Sequence, residues 1–237
     1  HRLPLSPSVQ AQPLRLALVA DVHAGLFMRG WQIERLVDRL NALDVDAVVV
    51  AGDWTYEPPR DLHALLAPFA RLRHPVWGVL GNHDTGTPGP PLAAALRQAL
   101  QGHGVQLLEG QRLLFRGWEV LGLGDLWGGD PRGDVARLLP PGTPTVPRLV
   151  LAHQPDTAAL LPAGSARLVL SGHTHGGQIM LPWITRHGVL PGLSAQRWLA
   201  GLHTTPAGPL FVTAGVGTIG LPARLAVVPR IDVLRIE

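Results

Sequence analysis

Five short apolar runs constrain this chain more than any other feature: Leu14 to Ala20, Ala47 to Ala51, Val76 to Leu80, Leu149 to Ala152 and Leu168 to Leu170. Each leads directly into residues that can hold a metal ion. The first opens into Asp21-Val22-His23, the second into Gly52-Asp53 and the third into Gly81-Asn82-His83-Asp84. The fourth ends at His153, and the fifth at Gly172-His173-Thr174-His175. Runs of Val, Leu and Ala that do not alternate with polar residues are strands of a sheet covered on both faces. In open α/β sheets ligands bind beyond the carboxyl ends of the strands, so residues far apart in sequence would converge on one edge.

The segments between these runs carry helical periodicity. Ile33, Leu36, Val37 and Leu40 follow the i, i+3, i+4, i+7 pattern, as do Leu62, Leu65, Leu66 and Phe69. A third helix is predicted from about Pro91 to Leu100, with Gly102 and Gly104 beyond its end. Trp118 to Leu123 is another strand, and Leu210 to Thr213 and Ile231 to Ile236 are β runs in a later part broken by Pro and Gly. Strand and helix alternate through the first half, which argues for a layered α/β fold. Residues 1–13, with Pro4, Pro7 and Pro13 and no periodicity, read as an N-terminal arm or linker, and residues 14–237 as a single domain.

Composition narrows the classes. At 237 residues with 46% hydrophobic and 16% charged side chains, the chain can bury a full core and is not disordered. No run approaches the roughly 18 to 20 apolar residues that span a bilayer. The chain opens on His1, which reads as a processed form or one that has lost an upstream segment. A cytoplasmic location and a membrane-associated or exported one after removal of a leader both stay open. Cys is absent, so any metal must use His, Asp, Asn or Glu. All 20 basic residues are Arg, but the net charge of +3 forms no basic block, and no nucleic-acid partner is expected.

Singly, Asp-x-His or Gly-Asp says little; the ordered set of five at strand ends says much more. Carboxylate and amide oxygens mixed with imidazole suit Mn, Fe, Zn, Ni or Co. Residues i and i+2 of an extended segment point the same way, so Asp21 with His23, and His173 with His175, could each aim at one centre. His63, His74, His103, His187 and His203 lack such spacing and read as structural.

With D-x-H, G-D, G-N-H-D, a lone His and G-H-x-H in this order, the chain from Leu14 onward resembles the calcineurin-like metallophosphoesterase family. The stretch Gly172 to Gln178 with Leu181-Pro182, and the later Phe211 to Pro222, resemble its bacterial branch of YaeI- and YkuE-type phosphodiesterases. That resemblance implies a four-layer α/β sandwich of two mixed β-sheets flanked by helices. It implies two divalent or mixed-valence metal ions, one held by Asp21, His23, Asp53 and His175, the other by Asp53, Asn82, His153 and His173, with Asp53 bridging. His83 would protonate the leaving oxygen or steady its charge, and Asp84 would hold the His83 imidazole.

The resemblance thus implies a phosphoester hydrolase, foremost a phosphodiesterase, in which two cations lower the pKa of a shared water from about 15.7 towards about 7. The substrate would be a small-molecule, nucleotide-linked or lipid-linked phosphoester. Gly52-Asp53-x-x-Tyr56 also resembles purple acid phosphatases, where the Tyr binds iron; those enzymes usually have Gly where this chain has His23, so Tyr56 is not expected to be a ligand. A phosphomonoesterase of that kind and a non-catalytic metal scaffold are the alternatives. The segment Ile179 to Leu202, with Trp183, Leu190, Trp198, Arg186 and Arg197, either packs on the core or offers a peripheral membrane contact. Oligomeric state is open.

Overall fold

The apolar runs form strands separated by amphipathic helices in the computed structural model, which describes residues 1–3, 11–139, 146–181 and 197–236. In chain order the first elements are Arg2–Leu3 (β1), Leu14–Val19 (β2), Ala24–Gly25 (β3), Gly30–Asn41 (α1), Ala47–Ala51 (β4) and Thr55–Tyr56 (β5). Next come Leu62–Leu66 (α2), Val76–Val79 (β6), the single turn Asn82–Thr85 (α3), Ala93–Gly102 (α4) and Val105–Leu107 (β7). Gln111–Phe115 (β8) and Trp118–Gly122 (β9) precede Pro131–Leu138 (α5). The chain continues through Arg148–Leu151 (β10), Leu168–Ser171 (β11), Gly201–Thr205 (β12), Gly208–Val212 (β13) and Asp232–Ile236 (β14).

These strands make two six-stranded mixed sheets, in the orders β1-β14-β2-β4-β6-β7 and β12-β13-β11-β10-β9-β8. Each has a parallel centre, β2-β4-β6-β7 in the first and β13-β11-β10-β9 in the second. Antiparallel neighbours flank both centres: β14 beside β2, β12 beside β13 and β8 beside β9. Arg2–Leu3, inside the segment read as an arm, pairs in parallel with β14. A small parallel pair, β3 with β5, stands apart.

The two-residue period inside each apolar run explains why there are four layers. In β2, Ala17 and Val19 pack with Ile33, Val37 and Leu40 of α1, while Leu14, Leu16 and Leu18 point the other way, into a core shared with Leu149, Leu151, Leu168 and Leu170. The second sheet repeats this. Leu149 and Leu151 of β10 join the inter-sheet core, and Val150 packs with Leu138 of α5 on the outer face. Both faces of the central strands are covered, so the sequence shows nearly continuous apolar runs, with Arg15 the interruption in β2. At about 1.5 to 3 kcal/mol for each fully buried Leu or Val, this three-part core is the main stabilising term.

Three local outcomes differ from the sequence expectations. The Leu62 to Phe69 pattern is not one helix: α2 ends at Leu66 and Ala67–Arg71 is a 3-10 turn containing Pro68, which has no N–H to continue the α ladder. The helix expected from about Pro91 to Leu100 spans Ala93–Gly102. Helix α5 was not foreseen, although Asp130 caps it by accepting from Gly133 N at 3.0 Å and Pro131 opens it. Among the described residues no helix is long and apolar enough to cross a membrane. Trp183, Arg186 and Leu190 lie outside the described residues.

Candidate metal centre

The parallel centres bring the carboxyl ends of β2, β4, β6, β10 and β11 to one place, and backbone hydrogen bonds tie the following loops together. Asp21 N donates to Gly52 O at 3.0 Å, His23 N to Asp53 O at 3.0 Å and Gly172 N to His153 O at 3.0 Å. Between the sheets, His173 N donates to the Asp21 carboxylate at 3.0 Å, and Gly217 N donates to Asp21 O at 2.8 Å. Two glycines permit this closeness. A Cβ on Gly52 would lie 2.5 Å from His153 Nδ1, and one on Gly81 would lie 2.2 Å from Asp53 Oδ1.

The side chains gather into two groups, Asp21 with His23 and His175, and Asp53 with His153 and His173; within each, one donor atom per residue lies within 4.8 Å of the others. All six are buried. His23 Nε2 and His175 Nε2 are 3.0 Å apart, and His153 Nε2 and His173 Nδ1 are 3.2 Å apart. Asp53 links the groups: its Oδ2 lies 3.2 Å from His153 Nε2 and 3.6 Å from His23 Nε2. Its other oxygen accepts from His83 N at 3.0 Å. Asn82 joins the second group through Oδ1, 3.1 Å from His153 Nε2, while its Nδ2 donates to Thr87 O.

This donor set fits metal ions. His153 Nδ1 bonds Ala51 O at 2.8 Å, an arrangement that fixes the ring and turns Nε2 to the centre, as in metal-bound imidazoles. Burial holds His23 down to about 4 and His173 down to about 3, and it keeps His175 well below the usual imidazole range, so their lone pairs are free of protons at neutral pH. Burial pushes the Asp21 carboxyl up to about 7, with Asp53 adding to the rise and His153 and Arg224 opposing it. For His153 burial acts downward, but the adjacent Asp53 carboxylate outweighs it and raises the group to about 10. Asp53 itself lies well below the usual range, since His153 and His23 overcome the effect of burial. Carboxylates and imidazoles packed this densely and buried this deeply need cationic partners.

The backbone points the same way. Asp21, His23, Asp53, His173 and His175 all have positive φ, between 50° and 70°. That left-handed region is uncommon for residues other than Gly, and five occurrences among these donors indicate a backbone bent to aim side chains. It also bears on the spacing expectation, which holds for Asp21 and His23, gathered in one group, and fails for His173 and His175. These residues are not extended, so period-two alternation does not apply; His173 enters one group, and His175, which starts a 3-10 turn, enters the other.

His83 stands where expected, beside the groups, its ring edge-on to His23 at 5.2 Å between centroids. Asp84 does not hold it. The Asp84 oxygens accept from Trp54 N, Thr55 N, Thr55 Oγ1 and Gly81 N at 2.9 to 3.0 Å, so this carboxylate ties the β4–β5 loop to the start of α3. Four donors take its lone pairs, which corrects the expectation that it orients the imidazole. Tyr56 packs edge-on to both His23 and His83.

Two residues at the site went unread in the sequence. Asp125, buried in the loop after β9, accepts from Thr85, Trp127 N, Gly128 N and Gln154, and Trp127 meets His173 edge-on at 5.0 Å. Gly124-Asp125 repeats the strand-ending Gly-Asp of Gly52-Asp53, so a signal was present. The Arg224 guanidinium donates to the carbonyls of His175, Ala214 and Gly217 and comes within 3.4 Å of His175 Nδ1. It lies in a Pro- and Gly-broken stretch where no periodicity marks it.

Residues 14–177 match the family described as Calcineurin-like phosphoesterase. Phosphodiesterase YaeI of Escherichia coli (strain K12) is 28% identical over 227 residues, covering 92% of this chain and 80% of that protein. The uncharacterized metallophosphoesterase YkuE of Bacillus subtilis (strain 168) is 27% identical over 236 residues, covering 94% of this chain and 79% of that protein. Of three other curated relatives the chain spans about three fifths of the length. A solved crystal structure aligns with a TM-score of 0.50 at 12% identity, over 84% of this chain and 90% of that one, and bears on the fold alone.

Proposed function

The chain belongs to the calcineurin-like phosphoesterase family, and from that premise we propose that it hydrolyses phosphodiesters with two metal ions held within a single domain spanning residues 14–237. The supporting observation is Asp53, whose Oδ2 reaches toward His23 of one group and His153 of the other. In this reading Asp21, His23, Asp53 and His175 hold one ion, and Asp53, Asn82, His153 and His173 hold the second. Two cations there would supply Lewis acidity to the phosphoryl oxygens and acidify a water.

The rest belongs to the chain. Asp21 is oriented by His173 N, and His153 by Ala51 O, so the donors are fixed before any substrate arrives. His83 is only partly buried and is placed to serve the leaving oxygen. Burial holds its pKa below the usual value, opposed by Asp53, so at neutral pH it acts chiefly as a neutral N–H donor to the developing charge. Similarity to YaeI, a phosphodiesterase by name, supports the diesterase choice.

The test is calorimetric titration of chelated protein with Mn, Fe, Zn, Ni and Co, followed by turnover of an aryl phosphodiester and an aryl phosphomonoester. Binding of two ions per chain, with the diester turned over faster, is expected. Full turnover by protein shown to be metal-free overturns the reading, and a faster monoester selects the phosphomonoesterase.

A further inference from the structure

His83 also lines a cavity of about 540 Å³, within the range of small-molecule sites. Its other walls are Tyr56, Glu57, Pro58, Leu92, Ile219 and the turn from Pro88 to Pro90. The chain has 20 Arg, yet among the described residues none of them lines this cavity, and Glu57 is the one carboxylate that does. Tyr56, next to Glu57 in sequence, stacks on Phe27 at 5.9 Å and meets His83 edge-on at 5.2 Å. Arg224, by contrast, sits against His175.

Glu57 is exposed and its backbone is unusual. Its φ is +44°, and the chain opposite it is Gly25, where a Cβ would lie 2.3 Å from Tyr56 O and 3.0 Å from Glu57 O. A non-Gly residue in this conformation signals a position set by something other than backbone preference.

We propose that this cavity holds the departing alcohol of the phosphodiester and that Glu57 sets its charge: the alcohol has an apolar or aromatic body and is uncharged or cationic, not anionic. This rests on the hydrolase reading, which puts the leaving oxygen at His83. Hydrolysis adds water across one P–O bond, so the alcohol departs with a proton and the phosphomonoester keeps the new oxygen. A cationic alcohol gains from the Glu57 charge. A second phosphate on the alcohol would meet the carboxylate with no Arg in the described lining to offset it.

Three methyl aryl phosphodiesters test this on the metal-loaded chain, with 4-nitrophenol, a carboxylate-bearing nitrophenol and a trimethylammonium-bearing nitrophenol as leaving groups. Glu57→Gln should lower the ratio of kcat/KM for the cationic over the anionic probe by about ten-fold, and Glu57→Arg should lower it further. Comparing variants cancels the intrinsic reactivity of each probe. The matching methyl phosphonate monoesters, with CH2 in place of the leaving oxygen so that this bond is not cleaved, are titrated by calorimetry and should bind in the same charge order. An unchanged ratio in both variants overturns the assignment. If no probe is cleaved but the phosphonates keep the charge order, the hydrolase reading fails and the departing-alcohol assignment with it, while the charge preference of the cavity at Glu57 stands. Cleavage and binding without charge order overturn the cavity assignment and leave the hydrolase reading in place.

Discussion

The two sheets share a layout but contribute different chemistry to the centre. The first sheet delivers oxygens at three strand ends, Asp21 after β2, Asp53 after β4 and Asn82 after β6, with His23 as its single imidazole in the two groups. Among the described residues the second delivers only imidazoles to them, His153 after β10 and His173 and His175 after β11. Each group draws on both sheets, so a metal in either would cross-link the layers. The oxygen side also carries Asp53, which reaches both groups. Loss of an oxygen and loss of a nitrogen should therefore differ in kind.

The largest effect is expected at Asp53. Asp53→Asn should lower kcat/KM on the order of 10³-fold and empty both metal positions, while His153→Ala should empty one and cost less. Metal content per chain beside turnover checks this, and equal losses from the two variants would erase the distinction between the sheets. His83→Ala should reduce turnover by about 10²-fold with both metals retained, most for alcohols that are poor leaving groups. A series of aryl and alkyl diesters reads that slope.

Removal of metal should loosen the link between the layers. Metal at about 100 times its Kd adds about 2.7 kcal/mol per site, which for a chain of this size shifts Tm by roughly 5 to 10 °C. Calorimetric scans with and without chelator measure it. The smallest effect sharpens the contrast within the centre. His153, raised by Asp53, carries a proton that the second group must release to bind an ion; in the first group His23 at about 4 is already neutral, and Asp21, pushed up to about 7, is the group that holds a proton. Affinity at both groups should thus fall as pH drops, with the proton coming from His153 in the second and from Asp21 in the first. Calorimetry in buffers of different ionisation enthalpy counts the proton.

Much of this was legible because the evident signals were local. Val48 and Val50 facing helices while Val49 faces the other sheet produce an unbroken apolar run, and the residue types at strand ends name the chemistry. Legibility stopped where tertiary contacts decide. Asp84 looks like a partner for its neighbour His83, yet its four donors come from Trp54, Thr55 and Gly81, close only after folding. Strand β8 is a half-exposed edge with Leu114 74% exposed, so it lacks the apolar signature of the centre. Arg224 acts across 49 residues on His175, and nothing near it in sequence announces that.

The positive φ angles at Asp21, His23, Asp53, His173 and His175 set catalysis against durability. Each costs about 1 kcal/mol relative to a residue at ease there, and glycine is that residue. Glycine at His23 or His175 would relax the loop of the metal-free fold while removing a metal donor. Laboratory selection for heat resistance alone, in a medium poor in metals, should therefore drift toward glycine at these positions and yield a tougher, inert protein.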